Sequence, residues 1–237
     1  VKDPILFMLR ENLKFLKEKE DFSWTERYQH IYDEIDLKSV SLLVMSVNRS
    51  PKGYGGPTFG TVYDLSKACP KCASGYIQLS PLVLKVSQIP KKGNIFQTMD
   101  GDYLISPELT KVLKDENISG IELRQAVSHK NNELIPWYQI IVNTEMPPMS
   151  NLSKGIIREY TGKSKPCSNC QRDGYFATPE EPSEFKYTNI SIDSLPDMTR
   201  TYEYFGKTIK REPFKDSFLA SQNIIIKQKV FELFRRL

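Results

Sequence analysis

The sequence predicts an α+β fold: mainly antiparallel strands, a few packed helices, and a split pair of cysteine turns that ties two related halves together. Three observations predict it. Short strand-like runs outnumber helix-like stretches. Two helix starts carry an Asp or Ser followed by proline, at Asp3-Pro4 and Ser106-Pro107. All four cysteines fall into two C-x-x-C pairs, Cys69-Pro-Lys-Cys72 and Cys167-Ser-Asn-Cys170. Scattered at random, four cysteines would give two such pairs in roughly one chain in five thousand, so the spacing has a cause.

From the N-terminus, Asp3-Pro4 caps a helix whose face is Ile5, Leu6, Leu9, Leu13 and Leu16, with Lys14 and Lys17 to Glu20 on the solvated side. Residues 24–35 read as a second short helix. Together they make residues 1–38 an N-terminal helical segment packed on the main domain, residues 39–237. Residues 40–47 read as a buried strand. Gly53-Tyr-Gly-Gly-Pro57 is a loop without the pattern or the Lys-Ser/Thr ending of a phosphate loop. Residues 59–65 read as a strand leading to the first cysteine pair.

After Cys72 a glycine turn at Gly75 leads to strands over 76–79 and 82–86. Strand, cysteine turn, glycine and strand in that order form the zinc-ribbon pattern. Residues 102–105 are a short strand, and Ser106 caps a helix through Leu109, Val112 and Leu113, with Glu108 adding first-turn negative charge. Residues 121–127 and 137–142 read as strands, residues 146–149 as a turn, 161–165 and 178–184 as loops, and 186–192 as a strand.

Asp102-Tyr-Leu-Ile-Ser106 is echoed by Ser217-Phe-Leu-Ala-Ser221, each read as opening a helix. Gly75-Tyr-Ile after the first pair is echoed by Gly174-Tyr-Phe after the second. Two related halves are expected, about 59–145 and 155–237.

The chemistry with the best physical case for four such cysteines is one tetrahedral Zn²⁺ bound by Cys69, Cys72, Cys167 and Cys170 as thiolates. Between Cys72 and Cys167 lie 94 residues. Closing so long a loop costs only about 1.5 kcal/mol more than closing a compact ribbon, against an apparent gain of about 10–16 kcal/mol from structural zinc. The rivals are a redox dithiol at Cys69-Pro-Lys-Cys72 and two disulfides. The first needs a helix N-terminus at the thiolate, where a strand is expected. The second needs an oxidising compartment.

Little else points to chemistry. His30 and His129 lie in polar stretches outside any metal or nucleophile motif, and no paired carboxylates stand out. The longest apolar run, 40–47, is far short of the roughly 20 residues that span a bilayer. Ile5 to Leu9 is too short for a signal-peptide core. The expectation is a cytoplasmic protein with no membrane partner. The formal net charge of +4 over 237 residues is a small excess, and four thiolates with Zn²⁺ reduce it to about +2. Nucleic acid is therefore the secondary expectation, on a surface of Lys85, Lys91, Lys92, Lys163, Lys165 and Arg172 with Tyr76, Tyr175 and Phe176. An enzyme with an unrecognised cleft is the third.

Two C-x-x-C pairs nearly a hundred residues apart, each followed by a small turn and Gly-aromatic, resemble the bacterial double-CXXCG motif proteins. Some members are regarded as immunity proteins that neutralise a toxin made by the same or a sibling cell. The match covers roughly residues 60–174. The resemblance implies one zinc on Cys69, Cys72, Cys167 and Cys170, and a protein partner such as a cognate toxin. The glycine of the motif, directly after each second cysteine, is Ala73 and Gln171 here. The leading expectation is a non-enzymatic, zinc-stabilised protein-binding module.

Overall fold

A computed structural model describes residues 32–47, 55–90, 92–158, 166–178, 181–211 and 220–236. The chain divides into two units, Val1–Ile31 and Tyr32–Leu237, and the described residues all belong to the second. The helix expected over residues 5–16, most of that expected over 24–35, and His30 lie outside them. Ile35 lies in a helix that goes with the main unit.

The architecture is α+β with mostly antiparallel strands. In chain order the elements are α1 (Glu34–Ser39), β1 (Leu42–Val44), β2 (Tyr63–Asp64), β3 (Ile77–Gln78), β4 (Val83–Leu84), β5 (Ile95–Gln97), β6 (Tyr103–Ile105), α2 (Pro107–Asp115), β7 (Ile121–Ser128) and β8 (Leu134–Val142). There follow β9 (Ile156–Ile157), β10 (Phe176–Ala177), β11 (Met198–Phe205), β12 (Ser221–Lys227) and α3 (Gln228–Arg235). One sheet runs β4-β7-β8-β6-β5, parallel only between β4 and β7. A second runs β1-β12-β11, all antiparallel. The hairpins β2–β3 and β9–β10 stand beside them.

Alternation along the strands puts a core on each face of the larger sheet. Tyr103 and Ile105 of β6 face one way, with Ile140 and Val142 of β8. They pack against Met198, Ile224 and Ile226 of the smaller sheet and against Leu109, Leu113, Val230 and Leu233 of α2 and α3. Leu104 faces the other way and joins Leu82, Leu84, Phe96, Ala126 and Ile135. Helix α2 starts where its sequence says. Ser106 Oγ accepts the N–H of Leu109 at 3.2 Å, and Pro107 occupies the first turn, where its missing N–H costs nothing.

The two sheets meet at a seam. Beyond β8, Arg200 N–H donates to the Thr144 carbonyl at 2.9 Å, and Met146 N–H to the Arg200 carbonyl at 2.8 Å. Gly120, at φ +87, opens β7 beside this seam. A Cβ there would lie 2.2 Å from the Met198 carbonyl oxygen, so only glycine lets β7 approach β11.

Several expectations are corrected. Residues 59–65 are not one strand: Pro57 starts a 3-10 turn at Gly56–Phe59, Gly60 ends it in the left-handed region, and pairing is confined to Tyr63 and Asp64. Residues 186–192 form no strand. Asn189 turns left-handed at φ 59, and a 3-10 turn follows at Ile192–Ser194. Ser221 opens a strand and not a helix, because Ile224, Ile225 and Ile226 are β-branched and buried on both faces. The helix begins at Gln228.

Candidate metal centre

Each cysteine pair sits in a tight turn closed by main-chain hydrogen bonds. In the first, Ala73 N–H donates to the Cys69 carbonyl at 2.8 Å, and Cys69 N–H to the Ser74 carbonyl at 2.9 Å. In the second, Gln171 N–H donates to the Cys167 carbonyl at 2.9 Å. There the Cys167 N–H is taken not by a carbonyl but by Asp173 Oδ1, at 2.8 Å. Ala73 and Gln171, the residues following each second cysteine, both take left-handed backbone, at φ 59 and φ 56. Gly75 and Gly174 do the same, at φ 90 and φ 84. The glycine-aromatic echo in the sequence thus marks a backbone reversal that a side chain would strain.

The two turns face each other and bring all four sulfurs together, within 4.8 Å of one another. Cys69 Sγ is 3.7 Å from Cys167 Sγ, and Cys72 Sγ is 3.4 Å from Cys170 Sγ. Four sulfurs bonded at about 2.3 Å to one tetrahedral ion stand about 3.8 Å apart. A disulfide needs about 2.05 Å, and all four cysteines are free. The tetrad could hold a metal ion. Among the described residues no helix begins at either pair, so neither cysteine pair has the helix N-terminus that an active dithiol uses.

Polar groups surround the sulfurs. Asn169 Nδ2 donates to Cys69 Sγ at 3.3 Å, and Cys72 Sγ donates to Ser74 Oγ at 3.1 Å. Burial works against ionisation of Cys69, but the N–H groups of Cys72 and Lys71 and the Asn169 amide outweigh it and bring the thiol down to about 6. Burial pushes Cys72 and Cys170 up. Without a cation the tetrad cannot carry four negative charges; a divalent ion removes that obstacle and releases the protons.

Residues that sequence reasoning missed hold the two turns in place. Tyr204 of β11 accepts the Gly75 N–H on its hydroxyl at 2.9 Å, while its own N–H donates to the Arg172 carbonyl at 2.7 Å. One residue thereby touches both turns. Lys71 Nζ donates to Ser168 Oγ at 2.9 Å, directly across the gap. Asp173 is fully buried, with Lys207 Nζ at 3.6 Å from Oδ1. A lone aspartate near a cysteine carried no signal in the sequence; its role appears only once Cys167 N–H needs an acceptor.

Of the residues named for a basic surface, Arg172 and Tyr76 are engaged within the fold. Arg172 turns inward: it bonds Glu145 at 2.6 Å and the Tyr202 carbonyl, and stacks 3.9 Å from the Tyr202 ring centroid. Tyr76 packs edge-on against Tyr63. Lys91, Lys163 and Lys165 lie outside the described residues. His129 is exposed and makes an edge contact with Phe59. Among the described residues no helix is long and apolar enough to cross a membrane. Comparison with family models, with curated proteins and with solved structures finds no match.

Proposed function

We propose that this chain is a non-catalytic binding module for another protein, built around one structural Zn²⁺ on Cys69, Cys72, Cys167 and Cys170. The observation that carries the metal half is the sulfur tetrad, whose 3.4 and 3.7 Å spacings suit a single tetrahedral ion. Zinc is the ion of choice for four thiolates, being soft enough and redox-silent. With four protein ligands the shell is closed, so the ion stabilises and activates no water.

The protein-binding half is supported by the β2–β3 hairpin that leaves the first cysteine turn. Val62, Ile77 and Leu79 are 53%, 51% and 61% exposed, and Leu79 N–H donates to the Val62 carbonyl at 2.9 Å. Three large apolar residues standing out from one small hairpin suit a protein surface better than water. A cognate toxin is the partner that the double-CXXCG resemblance brings, and that identification rests on the resemblance alone.

Elemental analysis of the purified chain is the first test, with one zinc per chain expected. Full stability without metal would overturn the zinc centre. The second test is recovery of a partner, followed by reconstitution from purified components. A defined complex lost on replacing Val62 and Leu79 with Ser supports the module. Binding of single-stranded RNA or DNA that weakens steeply with salt would favour the nucleic-acid reading instead.

A further inference from the structure

A cleft of about 430 Å³ opens at the seam between the two sheets. Its walls carry acidic and basic groups, and of these only Glu122 and Arg124 pair closely. Asp100 and Asp102 come from the β5–β6 turn, Arg124 from β7 and Arg200 from β11. Neither aspartate makes an ion pair among the described residues. Asp100 accepts one main-chain N–H, from Gly55 at 3.2 Å. Asp102 accepts from Gln139 Nε2 at 2.9 Å and from Thr98 Oγ1 at 3.4 Å.

The arginines are as loosely held. Arg200 makes no hydrogen bond through its side chain among the described residues, its Nε is buried, and its one carboxylate contact is Glu145 at 3.9 Å. Glu145 is already bonded to Arg172 at 2.6 Å. Arg124 pairs with Glu122 through Nε at 2.9 Å, but its terminal nitrogen Nη1 has only two carbonyls at 3.4 Å. Between the charged groups runs a stretch of β8 main chain with little ladder pairing. β6 pairs with β8 only at Leu104↔Gln139 and Ile105↔Tyr138, so past Gln139 the cleft side of β8 makes no further ladder pairing among the described residues.

Partly buried charged groups whose counter-ions are absent, distant or shared are costly, and the cheapest remedy is a partner of reversed sign. A neutral ligand would leave both walls uncompensated, and a simple ion would serve one wall and repel the other. A zwitterion serves both, and main-chain amide groups on it would meet the open side of β8. The volume falls in the range of small-molecule sites and suits a free amino acid or dipeptide. We propose that this cleft binds such a zwitterion, with its ammonium group on Asp100 and Asp102 and its carboxylate on Arg124 and Arg200. This is separate from the metal centre, and it touches the β2–β3 hairpin of the proposed protein-binding surface only through Tyr76, Ile77 and Gln78, not through Val62 or Leu79.

The test is a thermal-shift screen of the metal-loaded full chain against the α-amino acids and their glycine dipeptides at millimolar concentration, followed by calorimetry on any that raise the midpoint. At least one is expected to bind. Acetylating its amino group and amidating its carboxyl group should each weaken binding at least about ten-fold, as should Arg200→Gln and Asp100→Asn. The capped ligands decide the matter on the unaltered protein if a variant does not fold. A panel without a binder, or a binder indifferent to capping at either end, overturns the proposal.

Discussion

Asp173 accepts the main-chain N–H of Cys167 at 2.8 Å, where in the other cysteine turn the Ser74 carbonyl accepts that of Cys69. A side chain thus completes one turn and main chain the other. Asp173→Ala should strand a buried N–H and cost about 2 kcal/mol in denaturant unfolding. Asp173→Asn keeps an acceptor oxygen in place and should lose less than half as much. Equal losses in the two variants would mean that the carboxylate's charge, facing Lys207, matters more than its hydrogen bond.

Removing one ligand should release the metal. Cys69→Ser and Cys167→Ser are each expected to bring the zinc content from one per chain to near zero. The melting midpoint should fall as far as a strong chelator lowers it in the unaltered protein, because structural zinc binding is folding free energy. Cobalt substitution gives an independent readout: four thiolates produce an intense sulfur-to-cobalt charge-transfer band that either variant should weaken.

Gln171 holds a left-handed backbone at φ 56 on an exposed part of the second turn. Glycine adopts that conformation without steric cost, so Gln171→Gly should raise stability by about 0.5–1 kcal/mol. Ala73 has the same geometry at φ 59 but is buried, so Ala73→Gly trades strain for a small void and should gain less. Thermal unfolding of the two variants in parallel checks the order.

Tyr204→Phe deletes only the hydroxyl that receives the Gly75 N–H. A loss of about 1–2 kcal/mol is expected, with a parallel rise in amide exchange at Gly75. An unchanged exchange rate there would mean that water replaces the hydroxyl.

Burial, with the neighbouring Asp100 charge, pushes the Asp102 carboxyl up to about 7. In an unfolded chain the same group titrates near 3.9. Between those values the folded protein holds a proton that the unfolded chain has released. Stability from this group is therefore present at pH 4 and lost as pH rises to about 7, by on the order of 4 kcal/mol. Asp102→Asn should match the unaltered protein at pH 4, exceed it at pH 8, and flatten the profile between. Urea unfolding across that range reads it.

How much of this was legible beforehand differs by element. The start of helix α2 was readable to the residue, since Ser106, Pro107 and the spacing of Leu109 and Leu113 are local signals for one structure. The cysteine tetrad was readable because C-x-x-C spacing constrains geometry whatever surrounds it. β11 was missed: Met198-Thr-Arg-Thr-Tyr-Glu-Tyr-Phe205 has no clean alternation, because Thr199, Thr201 and Glu203 are buried polar residues. The reading of Ser221 as a helix start failed because the resemblance to Ser106 was local, while strand formation there depends on pairing with β1 and β11. Asp173, Tyr204 and the charged cleft involve partners far away in the chain, which no window of sequence contains.

The pairing of Leu42 with Lys227 sets the order in which the molecule can be completed during its own synthesis. β1 leaves the ribosome well before its neighbour β12. At about 5–20 residues per second, the first strand waits on the order of ten to forty seconds. The second cysteine pair also emerges before that final strand. Metal capture can therefore come first, and the smaller sheet closes only once β12 has emerged.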